Sequence, residues 1–110
     1  MTRKKLNRIW RDIEAYRRNL PKLADLESLA KRCGRVPDPG GKHVLWKSAQ
    51  FVRHRAFPIP RHGGNPVATY TVRDTVLDHL EADAVAWEDF LERDDVEDDV
   101  SVNGDGDGTR

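Results

Sequence analysis

One cysteine in 110 residues, Cys33, leaves no partner for an internal disulfide and fits a reducing compartment. A small buried apolar residue is the simplest role for it. No apolar run approaches the length a membrane span requires, so a bilayer-crossing helix is not expected. The opening Met-Thr-Arg-Lys-Lys has neither an apolar core nor a small-residue cleavage site, which speaks against a secretory signal and for a cytoplasmic protein. Aromatic residues make up only 7%. Stacking platforms for nucleic-acid bases are therefore few: Trp46, Phe51 and Tyr70 are the candidates, and burial accounts for each equally well.

What remains is a polar composition that is still foldable, with 37% hydrophobic and 35% charged residues and a mean hydropathy of −0.76. The length suits one modest core. The formal net charge of +0 conceals a division. Residues 1–80 hold 17 Lys+Arg against 7 Asp+Glu, a net +10, whereas residues 81–110 hold 2 against 12, a net −10. A body so basic attracts phosphate chains.

Leu6, Ile9, Trp10, Ile13 and Tyr16 recur at helical spacing, with Arg3, Lys4, Arg8, Arg11 and Arg18 on the other faces. Asn19-Leu20-Pro21 ends this helix, and Pro21 suits the first turn of the next. That second helix buries Leu23, Leu26, Leu29, Ala30 and Cys33 and stops at a left-handed Gly34. A turn-rich run, Val36 to Gly41, follows at most a very short strand. His43 to Ser48 reads as a strand. Residues 49–55 either connect a hairpin or lengthen the flanking strands. Ala56 to Arg61 reads as an edge strand, because Pro58 and Pro60 lack N–H groups on the same side. After a loop at His62 to Pro66, Thr71 is the expected N-cap of a helix carrying Asp74 at its third position and burying Val72, Val76, Leu77 and Leu80. Ala84, Trp87, Phe90 and Leu91 extend that helix or form another. From residue 93 onward the acidic composition predicts disorder.

The expected architecture is α+β. A small antiparallel sheet of two or three strands carries helices on one face, leaving the other open to a ligand. By segments, residues 1–20 form an amphipathic helix packed on the core, 21–92 the main domain and 93–110 an acidic tail.

Two short motifs stand out. Gly40-Gly41-Lys42-His43 is a glycine-rich turn ending in a histidine that starts a strand. Pro60-Arg61-His62-Gly63 closes a later strand, ahead of the helix from Thr71 to Leu80. In this order, and after the helix Leu23 to Gly34, they resemble the HicA family of toxin ribonucleases over roughly residues 22–82. Residues 3–18 look like the extra N-terminal helix of longer relatives. Lys42 stands where the family usually carries serine, and His43 stays in register. The resemblance implies a fold like a double-stranded-RNA-binding domain, with the order α-β-β-β-α. It also implies messenger-RNA cleavage by the histidine within a type II toxin–antitoxin system, and neutralisation by a HicB-like antitoxin.

The residues suit that chemistry. RNA brings its own nucleophile, the 2′-hydroxyl, and a histidine can give or take the proton near neutral pH. Lys42 and Arg61 are placed to offset charge growing on the phosphate. His43 is thus the candidate catalytic residue. Lys42, Lys47, Arg53, Arg55, Arg61 and His62 are the candidate RNA contacts, and no metal or other cofactor is called for. His54, between Arg53 and Arg55, reads as part of a solvated basic turn or a phosphate contact, and His79 as structural or surface. His43, His54 and His62 lack the spacing and carboxylate company of a metal site. Asn103 to Gly108 begins like a calcium loop but lacks the closing glutamate. Two other readings stay open: an RNA-binding module of the same fold that does not cut, and a protein-interaction partner of an antitoxin.

Overall fold

The computed structural model describes residues 1–60 and 64–101, and of 94–101 only the course of the backbone. The first helix, α1, is Arg3–Arg18. Thr2 caps it by accepting the Lys5 N–H at 3.1 Å, and Arg17 and Arg18 lie in its last turn, where cations suit the helix dipole. Leu6, Ile9 and Ile13 are its buried stripe, as their spacing predicts.

The second helix, α2, is Leu23–Arg32. Pro21 is not its first helical residue, contrary to the sequence reading. It lies one residue before the cap, because Pro21 and Lys22 run extended beside residues 66–68: Ala68 N–H donates to the Pro21 carbonyl at 3.0 Å, Leu23 N–H to that of Pro66 at 2.8 Å, and Lys22 forms a bridge with Val67. The Lys22 N–H is taken instead by Asp25 Oδ2 at 3.0 Å. Gly34 ends α2 with φ +93°, the left-handed stop the sequence calls for. A Cβ there would sit 3.6 Å from Trp87 Cζ2, an ordinary contact. The cost of Gly34→Ala is therefore one of backbone conformation alone, about 1–2 kcal/mol. Chemical denaturation should show a loss of that size, and an unchanged midpoint would refute it.

Three strands follow: β1 Arg35–Asp38, β2 Leu45–Ser48 and β3 Phe57–Pro58. They pair antiparallel in the order β1-β2-β3. Arg35 lies opposite Ser48, Asp38 opposite Leu45, and Trp46 opposite Phe57. The proline strand is at an edge, as expected, but pairs over only two residues and not from Ala56 to Arg61, because β2 begins at Leu45, opposite Pro58, and offers no strand residue to Ile59 and beyond. His43 also falls outside β2, which starts two residues later.

The last helix, α3, is one continuous element, Tyr70–Ser101. Its cap is Thr69, not Thr71: Thr69 Oγ1 accepts the Val72 N–H at 3.2 Å, and its carbonyl accepts that of Arg73. Asp74 therefore does not close a capping box and instead accepts from Arg73 Nε at 2.9 Å. Residues 93–101, expected from composition to begin a disordered tail, continue α3; the rest of that tail, 102–110, with the calcium-like run, lies outside the described residues.

The three helices and one sheet face share a single core that includes Leu6, Leu26, Leu29, Trp46, Phe57, Leu77, Leu80 and Trp87. α1 is sewn to α3 by Arg3 to Glu88 at 2.6 Å and Arg17 to Asp78 at 2.9 Å, so part of its basic face is matched by acid. Among the described residues, no helix is long and apolar enough to cross a membrane. Cys33 is fully buried, and burial pushes its thiol up to about 12. It should resist thiol reagents at neutral pH and react only when the chain unfolds. Rapid labelling of the native protein would contradict the packing.

Candidate functional site

Side chains alternate across the sheet. Arg35, Trp46, Ser48 and Phe57 are buried on the covered face, while Val36, Lys47 and Pro58 are exposed on the other. The bare face is the one the sequence reading reserves for a ligand. At one end of it the chain turns from β1 into β2. Asp38 organises this turn: Oδ1 accepts the Gly40 N–H at 3.1 Å, and Oδ2 meets Lys47 Nζ at 2.5 Å. The Lys47 hydrogen bond, then that of Gly40, holds the Asp38 carboxyl below the usual carboxylate range. Gly41, at φ +95° with open space where a Cβ would be, delivers Lys42 and His43 to the start of β2. Both are exposed and neither bonds to another described residue. Lys47, in contrast, is engaged by Asp38.

The register divides the remaining sequence-predicted residues between two ends. Leu45 faces Asp38 and Pro58, so His43 lies where β1 ends and where β3 runs on towards Pro60. Arg61 and His62, the next expected contacts, lie outside the described residues. Arg53 and Arg55 belong to the β2–β3 connection at the opposite end, beyond Ser48, with the length of β2, roughly 10 Å, between. They do not join His43 in one cluster.

At that opposite end lies a constellation that the sequence reading missed. Arg35 is 2% exposed and Asp83 0%. Arg35 grips Asp83 with two parallel bonds, Nε to Oδ2 at 2.7 Å and Nη2 to Oδ1 at 2.8 Å. Its Nη1 donates to the carbonyls of Trp46 at 3.1 Å and Arg55 at 2.8 Å, and the guanidinium lies 4.8 Å from the Phe57 ring centre. Every polar group of this buried pair is thus engaged, as so costly a desolvation requires. His54 is added from outside: its Nδ1 is 2.7 Å from Asp83 Oδ1, and Phe51 stacks on it at 5.1 Å. His54 is therefore no freely solvated turn residue. It is fixed by a carboxylate, with Nε2 left as its second nitrogen. His79, stacked on Phe57 at 4.9 Å, shares with Arg35, His54, Arg55 and Ala82 a cavity of about 190 Å³. Burial, ahead of the Arg35 guanidinium, keeps the His79 imidazole below its ordinary 6.5, with Asp83 and Asp78 opposing.

A third cationic feature is a groove of about 390 Å³ between α1 and α2, lined by Lys5, Arg8, Ile9, Lys31 and Arg32. Arg32 is bound to Asp12 at 2.6 Å; Lys5, Arg8 and Lys31 have no anionic partner among the described residues. No three His, Cys, Asp or Glu side chains among the described residues are placed to hold a metal ion.

This chain matches no family model, no curated protein and no solved structure. Its chemistry is read from its own residues. Two histidines are available for proton transfer or anion contact, one at each end of β2. The first has no partner among the described residues and is flanked by Lys42; the second is held by a buried acid.

Proposed function

We propose that this chain cuts RNA as a toxin of the HicA type, with His43 as the proton-transfer group. The observation that carries the reading is the position of His43: exposed, beside a Lys42 with no partner among the described residues, at the mouth of a sheet whose outer face exposes Val36, Lys47 and Pro58. From α2 onward the order of elements is α-β-β-β-α, the order of a double-stranded-RNA-binding domain. In the proposed reaction the 2′-oxygen of a ribose attacks the adjacent phosphorus, and the bond to the 5′-oxygen of the next nucleotide breaks. The 2′-hydroxyl proton is lost and a proton is delivered to the leaving oxygen, leaving a cyclic phosphate. His43 serves this transfer, and Lys42 offsets the charge gathering on the phosphate. The cations of the α1/α2 groove and of the β2–β3 connection that have no anionic partner among the described residues add sequence-independent attraction for the phosphate chain.

A cytoplasmic setting and a HicB-like antitoxin as partner belong to the same proposal; an acidic antitoxin surface would meet the +10 body by charge complementarity. The test is to incubate RNA with wild-type protein and with His43→Ala in the presence of a chelator. Cleavage by the wild type alone supports the reading. Binding without cleavage by either protein would make the chain an RNA-binding module, and neither binding nor cleavage an interaction partner only.

A further inference from the structure

The geometry points to a second site in this molecule, separate from His43: the cavity bounded by His54, Arg55, His79, Arg35 and Ala82, which receives a phosphate group. Six of the 13 arginines of this protein have a carboxylate. Arg3, Arg17, Arg18, Arg32, Arg35 and Arg73 are all ion-paired. Arg55 has none among the described residues, although it is the arginine that borders the cavity with an exposed side chain.

The two histidines of the cavity are similarly unspent. Asp83 occupies His54 Nδ1, which orients the ring and leaves Nε2 without a protein partner among the described residues. His79 has a ring-stacking partner in Phe57 and no hydrogen bond to a described residue. Three side chains able to carry donors thus border one small open space.

Charge balance is what would draw an anion to this space. Arg35 and Asp83 cancel in a tight pair. Asp78 is engaged by Arg17 at 2.9 Å. Among the described residues Arg55 is left without a compensating carboxylate, and a neutral His79 beside it can become cationic when an anion arrives. Asp83 lies behind His54 and is fully buried, so its charge is already answered. The oxygens of a phosphate would accept from Arg55, from His79 and, with the His54 ring protonated at both nitrogens since Nδ1–H is given to Asp83, from His54 Nε2, the charge-assisted arrangement that favours phosphate over a monatomic anion. Phosphate binding takes up protons here, and His79 is the ring whose proton affinity must rise, against the present influence of Arg35 and Arg55 and with that of Asp83 and Asp78.

The phosphate has two possible sources, a ribonucleotide chain or the free ion, and the chemistry is shared. The experiment follows the His54 and His79 ring resonances by NMR in the full chain. One arm adds inorganic phosphate, a second a short RNA with His43→Ala protein so that nothing is cut, and a third chloride at equal ionic strength. Saturable movement of both rings, an upward displacement of the His79 titration, and about tenfold weaker binding in Arg55→Ala are expected. The Arg55 side chain is exposed and its carbonyl, which Arg35 uses, survives the substitution, so folding is not at issue. If both arms succeed the cavity takes either source; if only the RNA arm does, it takes the chain's own phosphate. Rings unmoved by phosphate and RNA alike, or moved as much by chloride, would overturn the site. Since no arm depends on cleavage, the nuclease reading and this one fail independently.

Discussion

Replacing Asp83 with alanine should cost this protein about 3–5 kcal/mol of folding stability, the range for removing one partner of a buried ion pair. For a domain of ordinary stability this is a large share of the total. The physical reason lies in what is left behind. Arg35 cannot reach water and cannot shed its proton, so its charge would remain in the core with only two carbonyls to solvate it. Removing Arg35 should be comparably harmful, leaving the Asp83 carboxylate stranded. The double replacement by apolar residues of similar size should cost much less than the sum of the singles, because no orphaned charge remains. Urea titrations of the singles and the double measure this directly. A loss below about 1 kcal/mol for Asp83→Ala, the range of exposed pairs, would mean that water reaches the pair.

His43→Ala should act in the opposite manner, with little effect on the fold and a large effect on the reaction. An exposed side chain with no partner among the described residues costs within about 0.5 kcal/mol to remove, so thermal unfolding should be unchanged. The rate of RNA cleavage should fall by about 10²–10⁴-fold, the contribution of a positioned proton-transfer group. Lys42→Ala supplies the contrast: it should weaken RNA binding and its salt dependence by about one phosphate contact, and leave part of the cleavage intact. A His43→Ala protein that cuts as fast as wild type would move the chemistry elsewhere, and the Asp83-held His54 is where it would be sought.

The two histidines also show what a sequence conveys. α1 and α2 are written in the spacing of Leu6, Ile9 and Ile13 and of Leu23, Leu26 and Leu29, and Gly34 marks the stop because only the left-handed region closes that turn. These are local patterns, and they hold. Sequence alone does not separate Thr69 from Thr71 as the cap, because two threonines stand two residues apart, and the extended pairing of Pro21 and Lys22 with residues 66–68 decides where the neighbouring chain can enter a helix. The Arg35–Asp83 pair lies beyond such reasoning. Its members are 48 residues apart, and Arg35 is one among 19 basic residues. One clue was present: Asp83 continues the stripe Val76, Leu80, Trp87, at a position where an acid must be buried and therefore must be answered by a cation. His54 was legible as basic surroundings but not as a fixed ring, since the carboxylate that fixes it comes from the far end of the chain.

The sheet has one more property with consequences for what the protein associates with. Both outer strands contain a proline, Pro37 in β1 and Pro58 in β3, and β3 is only two residues long. Each border of the sheet thus lacks a donor that a visiting backbone would need, which hinders the stacking of one molecule's border on another's and guards a concentrated solution of this protein against fibril-like association. Any companion protein must then grip it by side chains, across the helices or over the bare face, and not by lending it a fourth strand.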